Sequence, residues 1–266
     1  MDPLENTTAE TIPEPENPSA PGSIRIRIIR DGILAFMAAI GLTIFLVIVV
    51  VIGALVTGDL STTSTPSFGL TPGLIVGILF ASELPFAGFA MFLRWRYRRK
   101  GHLLEPLFAG KFVSSIVTGA GVGLCLAVVG ALNAALAVKL FGKASTQGME
   151  EIMKSLASLK ERPGMVAALV FSIAVLAPFC EEFFFRGAVF GSVRSTPQAR
   201  AGVIVSTLLF AIAHVNPMMF PYYVVFGLTM CWLLSKTGTM AASIAAHMTV
   251  NALVCIAVLL APTGVK

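Results

Sequence analysis

Four stretches place ionisable or amide side chains inside otherwise apolar sequence: Glu181-Glu182-Phe183-Phe184-Phe185-Arg186, Phe210-Ala211-Ile212-Ala213-His214, His247-Met248-Thr249-Val250-Asn251, and Glu83. Such groups are costly to hold in an apolar segment, so their presence there points to function. Glu181 and Glu182 are neighbours. On a helix they project about 100° apart and cannot serve one point. Glu182 and Arg186 are four apart with the acid first, which is the favourable order for an ion pair on one helix face. Glu181 is left as the uncommitted carboxylate. In low-dielectric surroundings such a group suits a general base working near neutral pH. His214 shares a face with Phe210, and His247 with Asn251, at the same four-residue spacing. Taken singly, each motif also has a structural reading: a paired charge cluster, a satisfied core histidine and an interhelical hydrogen bond.

Depth links them. If the segment holding Glu181 ends near Arg194, the carboxylate lies roughly 20 Å from that end. If the next begins near Arg200, His214 is again roughly 20 Å in, and a start near Lys236 puts His247 and Asn251 at roughly 16–22 Å. Three helices of alternating direction then hold their polar groups at one level. Unrelated core polarity gives no reason for that agreement.

The elements that must position these groups are apolar spans. Hydrophobic residues make up 56% of the 266-residue chain and charged residues 12%, with a mean hydropathy of +0.86. A soluble domain carries about 25% charged residues. A span needs roughly 20 apolar residues. The sequence predicts an all-α, polytopic transmembrane helical bundle of about seven spans near Ile33–Val56, Leu70–Leu93, Phe112–Phe141, Met165–Phe190, Ala201–Val215, Phe220–Leu234 and Met240–Ala261. The fifth and sixth are short, with Pro217 and Pro221 marking the turn between them. Three regions follow: a disordered cytoplasmic tail over 1–24, N-terminal transmembrane helices with an interfacial helix over 25–164, and a catalytic transmembrane core over 165–262. The tail is acidic and rich in proline, and all 19 Lys and Arg residues come after it.

Those bases sit at the ends of apolar runs rather than in a polar patch, which argues against a nucleic-acid partner. Arg25, Arg27, Arg30, the cluster 94–100, Lys111, Arg194, Arg200 and Lys236 all fall on one side of a seven-span bundle. The opposite side has Lys139, Lys143, Lys154, Lys160, Arg162 and Lys266, diluted by Glu150, Glu151 and Glu161. The positive-inside rule then predicts a multi-pass cell-membrane protein with a cytoplasmic N-terminus. Met149, Ile152, Met153, Leu156 and Leu159 recur at helical spacing and predict an amphipathic helix on the outer interface. The basic loop 94–100, with Trp95 and Tyr97, reads as an anchor near lipid headgroups, and His102 after it as a surface residue.

Glu181-Glu182-xxx-Arg186, Phe210-xxx-His214 and His247-xxx-Asn251, in this order on successive spans, resemble the CPBP family, which contains the type II CAAX prenyl endopeptidases and the bacteriocin-processing and Abi proteins. The resemblance covers about residues 165–260. It implies a glutamyl intramembrane protease in which Glu181 and His214 activate a water, His247 and Asn251 stabilise the oxyanion, and Arg186 holds Glu182. It also implies a membrane-associated or lipid-modified (prenylated) peptide as substrate, with membrane lipid as the surroundings, reached from the inner leaflet. No cofactor is expected. There is no HExxH motif, and zinc on two histidines and a glutamate is the metal alternative.

Two other readings use the same residue types: a proton- or ion-coupled transporter, against which the lack of an internal repeat counts, and a non-catalytic immunity or interaction protein. Glu83, just before Pro85, reads as an acid at a kinked, polar point of its helix or as part of a substrate groove. Gly119-xxx-Gly123 permits close helix contact. Cys125, Cys180, Cys231 and Cys255 show no metal or disulfide spacing and read as small buried hydrophobes.

Overall fold

The computed structural model describes residues 21–57, 72–99, 107–108, 111–142 and 162–260. These form an all-α bundle of seven helices: α1 (Pro21–Thr57), α2 (Pro72–Arg99), α3 (Phe112–Phe141), α4 (Pro163–Phe190), α5 (Ala199–Ala213), α6 (Phe220–Thr237) and α7 (Met240–Leu260). Five of them (α1, α2, α3, α4 and α7) are long and apolar enough to cross a membrane. The fifth helix is the short one, at 15 residues. Apolar side chains such as Met37 and Phe45 on α1 and Val113 and Leu132 on α3 are more than half exposed, as lipid-facing surfaces are in a multi-pass membrane protein.

Local chemistry sets the helix ends. Pro163 opens α4 and Pro221 lies in the first turn of α6, positions where a missing N–H costs nothing. Gly238, at φ 71°, takes the left-handed conformation that closes α6 and returns its N–H to the Leu234 carbonyl, which glycine does without steric penalty.

Three expectations change. First, α1 starts at Pro21, so residues 21–24 are helical rather than tail. Arg25, Arg27 and Arg30 lie within that helix. Second, the basic cluster is not a loop, because α2 runs on to Arg99. Nothing in Arg-Trp-Arg-Tyr-Arg-Arg breaks a helix, and tertiary contacts hold it. Arg94 is buried and donates to the Gly187 carbonyl of α4 at 2.9 Å, and Tyr97 donates to Asp31 of α1 at 3.0 Å. Trp95 stays outward, with Arg99 stacked on it at 4.6 Å. Third, Cys125 is exposed, whereas Cys180, Cys231 and Cys255 are buried; all four are free thiols. The tail residues 1–20, His102 and the interfacial helix expected around 149–159 lie outside the described residues.

The core is aromatic. Phe36 of α1, Phe86 of α2, Phe184 and Phe185 of α4, and Phe210 of α5 meet with ring centroids 5.2–6.4 Å apart. On the other side of the bundle α3 packs closely along α7. Gly119 and Gly123 lie directly against the backbone of Ala242 and Ala246, so the small-residue spacing serves the helix contact expected of it. A methyl group at 119 would collide with the Ala242 carbonyl, whereas one at Gly121 meets nothing within 4 Å. Gly119→Ala is therefore expected to destabilise the protein by about 1–3 kcal/mol. Thermal denaturation in detergent checks this, with Gly121→Ala as the variant that should leave the midpoint unmoved.

Candidate active site

Helix α4 is not regular. It widens to five-residue hydrogen bonding over Ser172–Leu176 and again over Phe183–Phe190, with an ordinary α turn, Ala177–Glu182, between. Pro178 accounts for the first widening. It offers no N–H to the carbonyl one turn back, and its ring crowds that carbonyl. Widened turns leave backbone carbonyls to be satisfied from outside. Side chains of three other helices do this. Asn251 of α7 donates to the Ile173 carbonyl at 2.8 Å, Ser206 of α5 to that of Phe185 at 2.8 Å, and Arg94 of α2 to that of Gly187 at 2.9 Å.

Glu181 and Glu182 occupy the end of the regular turn between the two widened ones. Glu182 is fully buried, and its Oε1 accepts hydrogen bonds from Arg186 at 2.9 Å and from His247 Nδ1 at 3.1 Å. The contact expected at four-residue spacing is present, and His247 joins it from α7. Arg186 is equally buried. It also reaches the Gly227 carbonyl of α6 at 3.4 Å and lies over the Phe210 ring at 4.5 Å. Gly227 packs against Thr207, which brings the α6 backbone close enough to accept from the guanidinium.

Glu181 points elsewhere. Its Oε2 lies 4.0 Å from His214 Nε2 and 4.0 Å from His247 Nε2. That is too long for a direct hydrogen bond, and short enough for one water to touch the carboxylate and either ring. Side-chain exposure separates the two acids: 15% for Glu181 and 24% for His214, against none for Glu182 and Arg186. The Glu181 and His214 side chains are therefore partly exposed, although Glu181 Oε2 itself is enclosed, and the ion pair behind them is sealed.

His214 ends α5, with Nδ1 2.8 Å from the Phe210 carbonyl. A carbonyl only accepts, so Nδ1 carries the proton and Nε2, facing Glu181, is the acceptor of the neutral ring. Its ring lies against Phe210 at 4.5 Å and Tyr223 at 4.1 Å, and His247 lies against Phe226 at 4.7 Å. Aromatic walls fix both imidazoles. Tyr223 and Phe226 carried no signal in the sequence, because their position follows from how α6 returns past α5. Asn251 of α7 places one amide N–H on the Ile173 carbonyl of α4.

Glu83, on α2, is also part of this neighbourhood. The Ser82 hydroxyl, which donates to the Leu79 carbonyl at 2.8 Å, lies 3.3 Å from its Oε1, and its Oε2 is buried without a protein partner. It lies within electrostatic reach of Glu181.

Residues 163–253 match the family described as type II CAAX prenyl endopeptidase Rce1-like. That segment contains α4, α5, α6 and the part of α7 that carries His247 and Asn251. That segment is similar to the CAAX-protease family. A curated relative, the membrane-embedded CAAX protease MroQ of Staphylococcus aureus (strain USA300), is 31% identical over 111 residues. The match takes in 38% of this chain and 43% of that protein, so it spans less than half of the relative's length. No solved structure matches the chain. The matched segment thus coincides with the helices that bring Glu181, Glu182, Arg186, His214 and His247 together, and α1–α3 lie outside it.

Proposed function

We propose that the chain is an intramembrane endopeptidase in which Glu181 is the general base. One observation carries this reading: Glu181 Oε2, a buried carboxylate oxygen without a hydrogen-bond partner, stands 4.0 Å from each of two imidazole nitrogens held by other helices. A water in that gap is held by Glu181 and by His214 Nε2. The Glu181 carboxylate takes one proton from the water as its oxygen bonds to the scissile carbonyl carbon, and the carbonyl electron pair moves to its oxygen. His247 Nε2 and the second amide N–H of Asn251 are the donors for that oxyanion. The intermediate then collapses. The C–N bond breaks, its electrons stay on nitrogen, and Glu181 returns the proton to the departing amine. His247 donates from Nε2 as an imidazolium, its Nδ1–H being committed to Glu182.

The substrate class that fits is a peptide held at or in the membrane, lipid-modified or apolar, because the base lies inside the helical bundle. The distribution of Lys and Arg supports a cytoplasmic N-terminus. The chemistry needs no cofactor. Among the described residues no group of three or more His, Cys, Asp or Glu side chains is placed to hold a metal ion, and zinc on His214 and His247 is the competing arrangement. Protein reconstituted in liposomes with a quenched apolar peptide reporter is expected to cleave it at an unchanged rate after exhaustive chelation. Activity abolished by chelation and restored by zinc would convert the site to a metalloprotease. A protein that moves protons or ions across the liposome and cuts nothing would be a transporter.

A further inference from the structure

Helix α3 lies outside the matched segment, yet it carries an amide within its apolar run, Asn133. An amide in a membrane helix needs a partner. Asn133 finds one on the turn that joins α5 to α6. Its Nδ2 donates to the Met218 carbonyl and to Met219 Sδ, each at 3.2 Å. Three residues earlier, on the same helix face, Gly130 stands against Tyr222, and a Cβ added there would meet the ring at 3.0 Å. This face of α3 therefore grips both the turn and the start of α6. The gripped stretch is bounded by His214 on one side and by Tyr223, whose ring lies 4.1 Å from the imidazole, on the other. Between them the backbone is strained. Val215, directly after His214, has a φ of 44°, a left-handed conformation that a β-branched residue rarely adopts. Its side chain is 87% exposed, so its own packing does not hold it there. Such strain persists only where the surroundings impose it. The turn's hydrogen bonds are those surroundings. The Val215 N–H donates to the Ile212 carbonyl at 3.1 Å, and the Met219 N–H to the backbone and side-chain oxygens of Asn216, both at 3.2 Å. Asn133 adds the tie from another helix.

We propose that Asn133 is a positioning residue for His214: it pins the α5–α6 turn so that Val215 stays left-handed and the chain reverses directly behind the imidazole. This rests on His214 taking part in water activation. Asn133 itself touches neither water nor substrate. With the turn pinned, α6 returns with Tyr223 on the His214 ring, and Nε2 faces Glu181. With the pin removed, Val215 relaxes to ordinary right-handed backbone, Tyr223 leaves the ring, and the imidazole is free to turn. Glycine takes a positive φ without steric cost, so Val215→Gly makes the pin dispensable.

The test is steady-state cleavage of a peptide reporter by reconstituted full-length protein, with Asn133→Leu, Val215→Gly, the double variant and Glu181→Gln compared. Imidazole nitrogen NMR spectra of the same proteins in detergent report the His214 tautomer. Asn133→Leu is expected to lower kcat on the order of 10²-fold, the size expected when a reacting group is misplaced. KM should hold, and the Nδ1–H form of His214 should give way to a mixture of tautomers. Adding Val215→Gly should return kcat and the single tautomer to the level of Val215→Gly alone, a coupling that independent sites do not show. Wild-type kcat with an unchanged His214 signal in Asn133→Leu would overturn the proposal. A loss that Val215→Gly fails to restore would overturn it too, since Asn133 would then serve helix packing alone. Should Asn133→Leu not fold, the double variant decides: folded and active, it supports the pin; unfolded, it overturns it. An active Glu181→Gln is a different failure. It removes the base from the reaction, while the His214 signal still reports whether Asn133 holds the ring.

Discussion

Glu181→Gln is expected to lower peptide cleavage by about 10²–10⁴-fold, the contribution of a positioned general base, with expression and melting midpoint unchanged. The substitution keeps the volume and removes only the ability to take a proton. The stability expectation follows from the surroundings. Glu181 Oε2 has no hydrogen-bond donor in the protein and its imidazole neighbours stand at 4.0 Å, so no contact is lost. A comparison of membrane-proteome fragments between cells carrying the wild type and Glu181→Gln would name substrates by the fragments that disappear. Undiminished cleavage by the purified variant would remove Glu181 from the mechanism.

Its neighbour behaves in the opposite way. Arg186→Met is expected to destabilise the protein by about 3–5 kcal/mol, the usual penalty for leaving one member of a buried ion pair alone. Glu182 would remain fully buried with only His247 to balance it. Cleavage is lost because the protein fails to assemble, and the loss shows as low yield and a lowered melting midpoint. The double substitution Glu182→Leu with Arg186→Met should recover much of the stability, since an apolar pair can replace a buried ionic one with little loss. It should not recover activity, because His247 then has no carboxylate to orient its ring. Two adjacent glutamates thus give opposite signatures: one variant folds and does not cut, the other does not fold. A stable Arg186→Met protein would mean that the pair contributes little to the bundle.

The contrast between these acids was legible in the chain because it is local. Four-residue spacing on a helix decides that Glu182 meets Arg186 and that Glu181 does not, and the structure has the first contact at 2.9 Å. The limits of α3 and α7 were legible for a similar reason, since apolar runs end where polar or turn residues begin. What depends on packing between helices was not. The extension of α2 to Arg99 rests on Arg94 finding Gly187 and Tyr97 finding Asp31, partners on other helices. The widened turns of α4 left one clue, Pro178, while the residues that complete them, Ser206 and Asn251, look like ordinary polar positions. Tyr223 against His214 and Glu83 near Glu181 depend on how helices return past one another, which no spacing along the chain encodes.

The carbonyls of Ile173, Phe185 and Gly187 are bonded by side chains from α7, α5 and α2 respectively. Two of those donors are synthesised after α4. A newly inserted α4 therefore has no access to the shape it needs at Glu181, and takes it only once the later helices have docked beside it. Until the last of them arrives, the nascent chain lacks the carbonyl partners that shape α4 around Glu181.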